Sequence, residues 1–515
     1  MQQESAPAVG STNRAKLYQL VLFPMNNGAT NVYYILTMNF IAYYANGVLG
    51  LFLMFATTMV TVMRLFDALT DPVIGAMIDR TSTKFGKFRP YIVLGNGIML
   101  ISSLLLYFGI RIISADMAWL RYVCFVLFYA LYVVGYTFQT ACTRSGQTCL
   151  TNDPNQRPLF TVFNTAASLI GMGLIQFLAP VLGERLGGYN SASFFNIMIP
   201  LAIVVSALLT CLAVMGIWEK DRPEFFGVSR AQEKVKLKEY VAILKSNREL
   251  QRLMVAGAGC KLAFSIATNM TVLCMLYGAM MGNYGGLYLP MMIVGYVCSA
   301  PFFLLTVRTS QRRGQKASLV RYTKIALVMY VGVLMLLLFW KPGSEMFRLR
   351  LWPLNLYTIL FVLCFGIGYG AYYATADMPI PMVADCSDYE TYRSGRYIPG
   401  IMGTLFSLVD KLVSSLGSTI VGAAVAMIGI RTLPDGNTPY AQGMHPVVVT
   451  LFCIIPMLAW ILTLFAMKGY TLTGERMKEI QAVNAVRKDA IGKGMTLGEA
   501  METWKTWEQV PEEYR

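Results

Sequence analysis

The sequence predicts an all-α membrane protein with twelve transmembrane helices in two six-helix bundles. Three observations carry this. Of 515 residues, 56% are hydrophobic and only 14% charged, whereas soluble domains carry about 25% charged residues. The apolar residues gather in blocks, such as 91–110, of the roughly 20 residues that cross a bilayer as a helix. The short alternating segments of a β-barrel are absent, and lipid offers the backbone no hydrogen-bond partner, so the spans must be helices.

The first half holds spans near 25–46, 48–78, 91–110, 117–138, 158–183 and 194–217. The second holds spans near 253–280, 286–307, 322–340, 353–376, 399–429 and 446–468. Residues 1–17 are polar, so span 1 is expected to serve as its own insertion signal. The loop after span 2 carries Arg80, Lys84, Lys87 and Arg89. The loop after span 8 carries Arg308, Arg312, Arg313, Lys316, Arg321 and Lys324 without an acid. Loop 218–252 adds nine basic residues and separates the halves. The opposite loops are short and nearly neutral, apart from Lys341, Arg348 and Arg350. By the positive-inside rule both termini are expected in the cytoplasm. The expected organisation is a bundle at 1–217, a cytoplasmic loop at 218–252, a bundle at 253–468 and a cytoplasmic tail at 469–515. The tail shows helical stretches around 475–488 and a capping-box pattern, Thr496-Leu-Gly-Glu499.

The net charge of +15 belongs to these loops and implies membrane topology rather than nucleic acid. One histidine, His445, excludes histidine-based metal sites and catalytic triads. Ten cysteines without CxxC spacing are expected as buried hydrophobes. The chain lacks a Walker A pattern and a nucleophile elbow, so neither ATP-driven pumping nor an enzyme is expected, and no cofactor is implied.

Ionisable groups inside spans each cost about 2.5–3.5 kcal/mol on insertion scales and need a reason. Span 2 reads Arg64-Leu-Phe-Asp67-Ala-Leu-Thr70-Asp71-Pro72. Asp67 and Asp71 are four residues apart and share a helix face. Their repulsion would be relieved by a coupling cation, Na⁺ or H⁺, or by a structural ion pair with Arg64 or a lysine from another span. Span 11 carries Asp410-Lys411, and Lys411 is expected either to face the acidic pair or to sit in a local interfacial pair. Span 7 carries Lys261 and Asn269, of which Lys261 either meets substrate or snorkels to the surface. If span 4 continues through Arg144, then Thr137, Thr140 and Arg144 share one face. Hydroxyls there suit a polyhydroxy solute, and the arginine fork suits a carboxylate.

Three stretches together resemble one family. They are Asp67-Ala-Leu-Thr70-Asp71-Pro72 continuing to Asp79-Arg80, Lys84-Phe-Gly86-Lys87-Phe-Arg89-Pro90, then Tyr136-Thr137-Phe138, then Asp385-Cys-Ser-Asp388-Tyr389-Glu390 with Arg396, Gly400 and Lys411. Their order and spacing resemble the glycoside–pentoside–hexuronide:cation symporters, the melibiose-carrier branch of the major facilitator superfamily. The resemblance implies that Asp67, Asp71 and Thr137 line a cation site, with Thr70 where an asparagine is frequent and Lys411 close by. It implies that Asp385, Asp388 and Arg396 form a cytoplasmic gate beside the 79–90 loop; Arg64 and Arg89 are assigned to that gate too. It implies a sugar among spans 1, 4, 5, 7, 10 and 11. Melibiose-type carriers hold galactosyl hydroxyls with carboxylates where this chain has Asn31 and Thr140, and carry an aromatic where it has Arg144. With Lys261, these departures tilt the pocket positive and point to an acidic sugar or uronide. The expected partners are a small sugar or glycoside, the coupling cation and the lipid bilayer, with the chain acting as a monomer without nucleic acid. The tail is expected to be too short for the phosphotransferase-like domain fused to some lactose-type relatives. The alternatives are a lysolipid carrier of the same fold and a non-transporting sensor.

Overall fold

The computed structural model describes residues 14–81, 83–151, 156–222, 244–395 and 399–511, and among these every regular element is a helix. In chain order these are α1 (25–48), α2 (Leu53–Arg80), α3 (Arg89–Ile112), α4 (Ala118–Leu150), α5 (Gln156–Arg185) and α6 (Ala192–Ile217). Then come α7 (Arg248–Ala267 with Met270–Met280), α8 (Tyr284–Arg313), α9 (Gln315–Phe339), α10 (Leu356–Thr375), α11 (Pro379–Ser394), α12 (Pro399–Met427) and α13 (Met444–Gly469). The tail forms α14 (Gly474–Gly492) and α15 (Leu497–Thr503), and Thr496 and Glu499 close the expected capping box.

Among the described residues ten spans are long and apolar enough to cross a bilayer, and the two pieces of α7, bent by 45°, make an eleventh. Helix α1 completes the expected twelve. It is less apolar because Asn26, Asn27, Thr30 and Asn31 fall within it, and it carries π turns at Leu36–Phe40 and Tyr44–Val48. Several boundaries differ from the sequence reading, two of them with consequences for the site and the turns. Helix α9 starts at Gln315 rather than near 322, because Gly314 (φ +86°) turns the chain straight from α8 into α9. Helix α4 runs on to Leu150, which puts Thr137, Thr140 and Arg144 on one helix.

The chain forms two compact units. The first comprises Met1–Glu233 with Ser418–Pro439, and the second Lys234–Gly417 with Tyr440–Arg515. In the first unit, small residues let backbones meet, as is usual where lipid gives no hydrophobic drive for helix association. A Cβ on Gly171 of α5 would stand 2.2 Å from the Gly28 carbonyl oxygen of α1, and Gly95 of α3 and Gly135 of α4 oppose each other in the same way. The 431–435 segment joins this unit by hydrogen bonds. The Tyr43 hydroxyl donates to Pro434 O (2.7 Å), the Leu433 N–H to Asn46 Oδ1 (3.0 Å) and the Asn190 amide to Leu433 O (2.8 Å).

The basic turn after α2 is organised by Asp221. This buried carboxylate accepts the backbone N–H groups of Lys87 (2.8 Å), Phe88 (3.0 Å) and Arg89 (2.8 Å). Gly86 (φ +101°) is required on two counts, its left-handed backbone and a position where a Cβ would lie 2.2 Å from Asp221 Oδ2. Asp221→Ala strands three backbone donors, one of them buried, and is expected to destabilise the protein by about 3 kcal/mol. Thermal unfolding in detergent would show this as a lowered midpoint, and an unchanged midpoint would refute it.

In the second unit α7 packs along α13, and α10 packs against α8 and α9. Tail helix α14 lies on α11. The buried Arg487 donates to Tyr392 O (2.7 Å) and to Trp504 O, and the Asn484 amide donates to Asp388 O (2.9 Å).

Candidate functional site

Helix α2 carries its charges on the face turned toward α4. Asp67 is 2% exposed, and each of its oxygens has a donor. The Thr137 hydroxyl of α4 donates to Oδ1 at 2.8 Å, and Arg64 Nη1, one helical turn before Asp67, donates to Oδ2 at 3.1 Å. The Thr70 hydroxyl donates to the Asp67 carbonyl (3.0 Å) and lies 3.3 Å from Thr137 Oγ1. One turn further on, Asp71 stands 3.7 Å from Arg144 Nη1. Pro72 lies inside α2, and because proline has no N–H, the Ala68 carbonyl gets no helical bond from it. This stretch of α2 and α4 thus carries two carboxylates and the hydroxyls of Thr70 and Thr137, oxygen donors of the kind that suit hard cations.

Beside Asp67 is a small cavity lined by α1, α2 and α4, including Tyr34, Thr37, Arg64, Asp67, Tyr129 and Tyr136. The Arg64 guanidinium lies 5.2 Å from the Tyr34 ring centre, and Tyr34 stacks on Tyr136. Arg64 Nε and the Tyr129 hydroxyl are buried in this wall without a hydrogen-bond partner among the described residues. Unsatisfied buried donors in a cavity call for a ligand or water. Aromatic faces with a few convergent polar groups are the usual lining of a small-molecule site.

Of the remaining residues singled out in the sequence, Asn31 donates to Asn27 O and Asn27 Oδ1 (2.8 and 2.9 Å) within its own helix. The Thr140 hydroxyl bonds back to the carbonyls of Tyr136 and Thr137. Arg64, assigned to a gate, instead belongs to the Asp67 cluster, because a buried guanidinium needs a nearby carboxylate. Arg89, given the same role, reaches Asp221 through Nε (3.4 Å) and lies over Trp218. In the second unit Lys261 bonds Asp377 (2.6 Å) and lies 3.5 Å from Asp410, so it neither meets solvent alone nor adds net positive charge. Asn269 caps the second piece of α7, its Oδ1 accepting the Thr271 N–H (3.0 Å). Lys411 is buried within α12, next to Asp410 in the chain. Asp385 and Asp388 lie on α11, where Asp388 meets Gln481 and Asn484 of the tail helix. Arg396 lies outside the described residues.

The sequence reading missed Asp377, Asp221 and Tyr129. Asp377 is an acid at the end of an apolar span and could have been paired with Lys261. Asp221 looked like one more charge in a charged loop, and Tyr129 like one more tyrosine among many.

Two arginines therefore balance two aspartates in the first unit, and two aspartates flank one lysine in the second. The positive tilt inferred from Arg144 and Lys261 is offset by partners. A positive charge added to the α2 cluster would displace an arginine from its carboxylate. Arg144, which is largely exposed and held at 3.7 Å, is the easier of the two to release.

A profile of the MFS/sugar transport protein family matches residues 23–474. A glucuronide carrier protein homolog of Escherichia coli (strain K12) is 25% identical over 478 residues, covering 90% of this chain and 94% of the relative. A putative glycoside/cation symporter, YagG, of the same strain is 25% identical over 476 residues, covering 86% and 89%. Among solved structures, a bacterial homologue of the human drug peptide transporters PepT1 and PepT2 superposes with a TM-score of 0.59. It has 12% identity over 88% of this chain and 98% of that one, a likeness of fold alone. The chain belongs to the MFS/sugar transport protein family and, by its motifs and these relatives, to the glycoside–pentoside–hexuronide:cation symporters within it.

Proposed function

We propose that this protein couples Na⁺ or H⁺ entry to the symport of an acidic sugar or uronide by alternating access, as a monomer with both termini in the cytoplasm. The organisation proposed is a bundle at 1–217, a middle loop at 218–252, a bundle at 253–468 and a tail at 469–515. The observation that carries this reading is the α2 cluster, in which Asp67 and Asp71 are each held by an arginine beside a tyrosine-lined cavity. The four charges sum to zero without a coupling ion. A cation taken up by the carboxylates and the hydroxyls of Thr70 and Thr137 releases Arg144 from Asp71. The freed guanidinium then offers its planar fork of donors to the sugar carboxylate. Cation and anionic sugar together restore neutrality. The half-loaded carrier keeps an uncompensated charge in low dielectric, which opposes its rearrangement. The named relatives, a glucuronide carrier homolog and a glycoside/cation symporter, support the substrate class. In this reading Asp385, Asp388 and Arg396 work as a cytoplasmic gate, and Lys411 helps to balance the charge of the cation site.

The test is uptake by proteoliposomes under imposed Na⁺ or H⁺ gradients, with uronides matched to their neutral sugars. Concentrative uptake of the uronide is expected, and preference for the neutral sugar would reject the acidic assignment. Arg144→Gln is expected to weaken uronide uptake ~10–100-fold, the worth of a charge-assisted bond of ~1.5–3 kcal/mol, with little change for a neutral glycoside. An equal loss for both would make Arg144 a partner of Asp71 alone.

A further inference from the structure

The turns after α2 and after α8 hold matching places in the two halves, but they treat their basic residues differently. In the first, Arg89 and three backbone N–H groups converge on the buried Asp221. In the second, residues 284–344 contain no aspartate or glutamate. Arg308, Arg312, Arg313, Arg321 and Lys324 are all exposed there. None of the five forms an ion pair with a carboxylate of the described residues. Lys316 alone is turned inward, donating to the Tyr470 carbonyl.

The exposed charges continue apolar stripes. On α8, Val297, Leu304, Arg308 and Arg312 are exposed at helical spacing. On α9, Arg321, Lys324, Val328 and Met335 do the same. The two helices are braced so that their stripes keep a fixed separation. The Ser318 hydroxyl donates to Thr306 O (2.9 Å), and the hydroxyls of Thr309 and Tyr322 are 2.9 Å apart. Each stripe runs from hydrocarbon-compatible side chains to guanidinium or ammonium groups within a few turns, which is the polarity profile of a phospholipid.

We propose that the α8–α9 turn is a binding site for an anionic phospholipid. Its headgroup phosphate is held by Arg308, Arg312, Arg321 and Lys324, and its acyl chains lie along the two apolar stripes. Basic clusters at the membrane boundary of transmembrane helices attract anionic lipids, each cation adding to the attraction. With no carboxylate among the described residues ion-paired to this cluster, the lipid phosphate supplies the counter-charge that Asp221 supplies in the first half. The inference stands apart from the transport reading, since none of these residues belongs to the cation or sugar cluster.

Native mass spectrometry of the full-length protein in detergent tests this, with phosphatidylglycerol and phosphatidylcholine offered together. Wild type is expected to retain phosphatidylglycerol about tenfold more than phosphatidylcholine, and the variant Arg308→Gln, Arg312→Gln, Arg321→Gln, Lys324→Gln to lose that preference. Arg308→Lys with Arg312→Lys and Arg321→Lys should keep it, since charge is preserved. This second variant and the wild-type lipid comparison remain decisive if the glutamine variant fails to fold. A third variant, Lys478→Gln with Lys488→Gln, removes tail charges and should leave the preference intact. Equal retention of the two lipids by wild type would overturn the proposal. So would an undiminished preference in the glutamine variant, or release of phosphatidylglycerol by millimolar inorganic phosphate, which would make the site one for free anions.

Discussion

Asp67→Asn is expected to abolish gradient-driven uptake and also to destabilise the protein. The carboxylate is buried, takes Thr137 on one oxygen and Arg64 on the other, and neighbours the tyrosine-lined cavity. Asparagine keeps the shape and can still accept from Thr137, but it offers a cation no charge. Losing one charged ligand is worth ~3 kcal/mol, about 100-fold in apparent cation affinity. The variant also leaves the Arg64 guanidinium buried without its counter-charge, a change that costs ~3–5 kcal/mol when one partner of a buried pair is removed. Asp71→Asn should therefore behave differently. Its partner Arg144 is mostly exposed, so folding survives while coupling is lost. The double variant Arg64→Gln, Asp67→Asn separates the two roles. Its thermal midpoint should return toward wild type while concentrative uptake stays absent. Concentrative uptake in this double variant would remove Asp67 from the coupling site, and an unchanged midpoint in Asp67→Asn alone would show that the ion pair contributes nothing to stability.

Gly171→Leu is expected to unfold or misassemble the first unit. Helices α1 and α5 approach until the position of a Cβ on Gly171 falls 2.2 Å from the Gly28 carbonyl oxygen and 3.0 Å from its carbon. Both atoms are backbone, so neither can swing aside as a side-chain tip would. The helices must separate, losing the van der Waals contact that drives helix association in lipid. Overpacking of this kind costs ~1–3 kcal/mol for added methylenes in a core and more where backbone must shift. Gly171→Ala should already lower the thermal midpoint, with Gly171→Leu lower still. Gly75, whose Cβ would meet nothing within 4 Å, supplies the control: Gly75→Ala should be neutral. An equal midpoint for Gly171→Leu and wild type would mean that the close approach of α1 and α5 carries no packing energy.

The same separation of local from distant information runs through the candidate site. The common face of Asp67 and Asp71 was legible because four-residue spacing on a helix is a local property. So was the common helix of Thr137, Thr140 and Arg144, once α4 was allowed to run past the end of its apolar block. The pairing of Arg64 with Asp67 was one of the readings left open by the residues, since a coupling cation or a lysine from another span satisfied the same requirement. The pairing of Lys261 with Asp377 joins positions 116 residues apart and was out of reach of any periodicity. Asn269 is polar within a span, and its cap on Thr271 arises from a break in α7 that composition alone does not reveal.

The sequence by itself determined that the chain is a bundle of membrane helices with a carboxylate couple on one face of the second. Apolar block length and residue spacing are properties of the chain, and lipid leaves the backbone no alternative to a helix. Only the tertiary structure decided which charges meet: Arg64 with Asp67, Arg144 with Asp71, Arg89 with Asp221, Lys261 with Asp377. A buried charge is satisfied by whatever lies within a few ångströms. Which atoms those are depends on the rotation and depth at which neighbouring helices pack, and small residues such as Gly28 and Gly171 set that through contacts between distant parts of the chain.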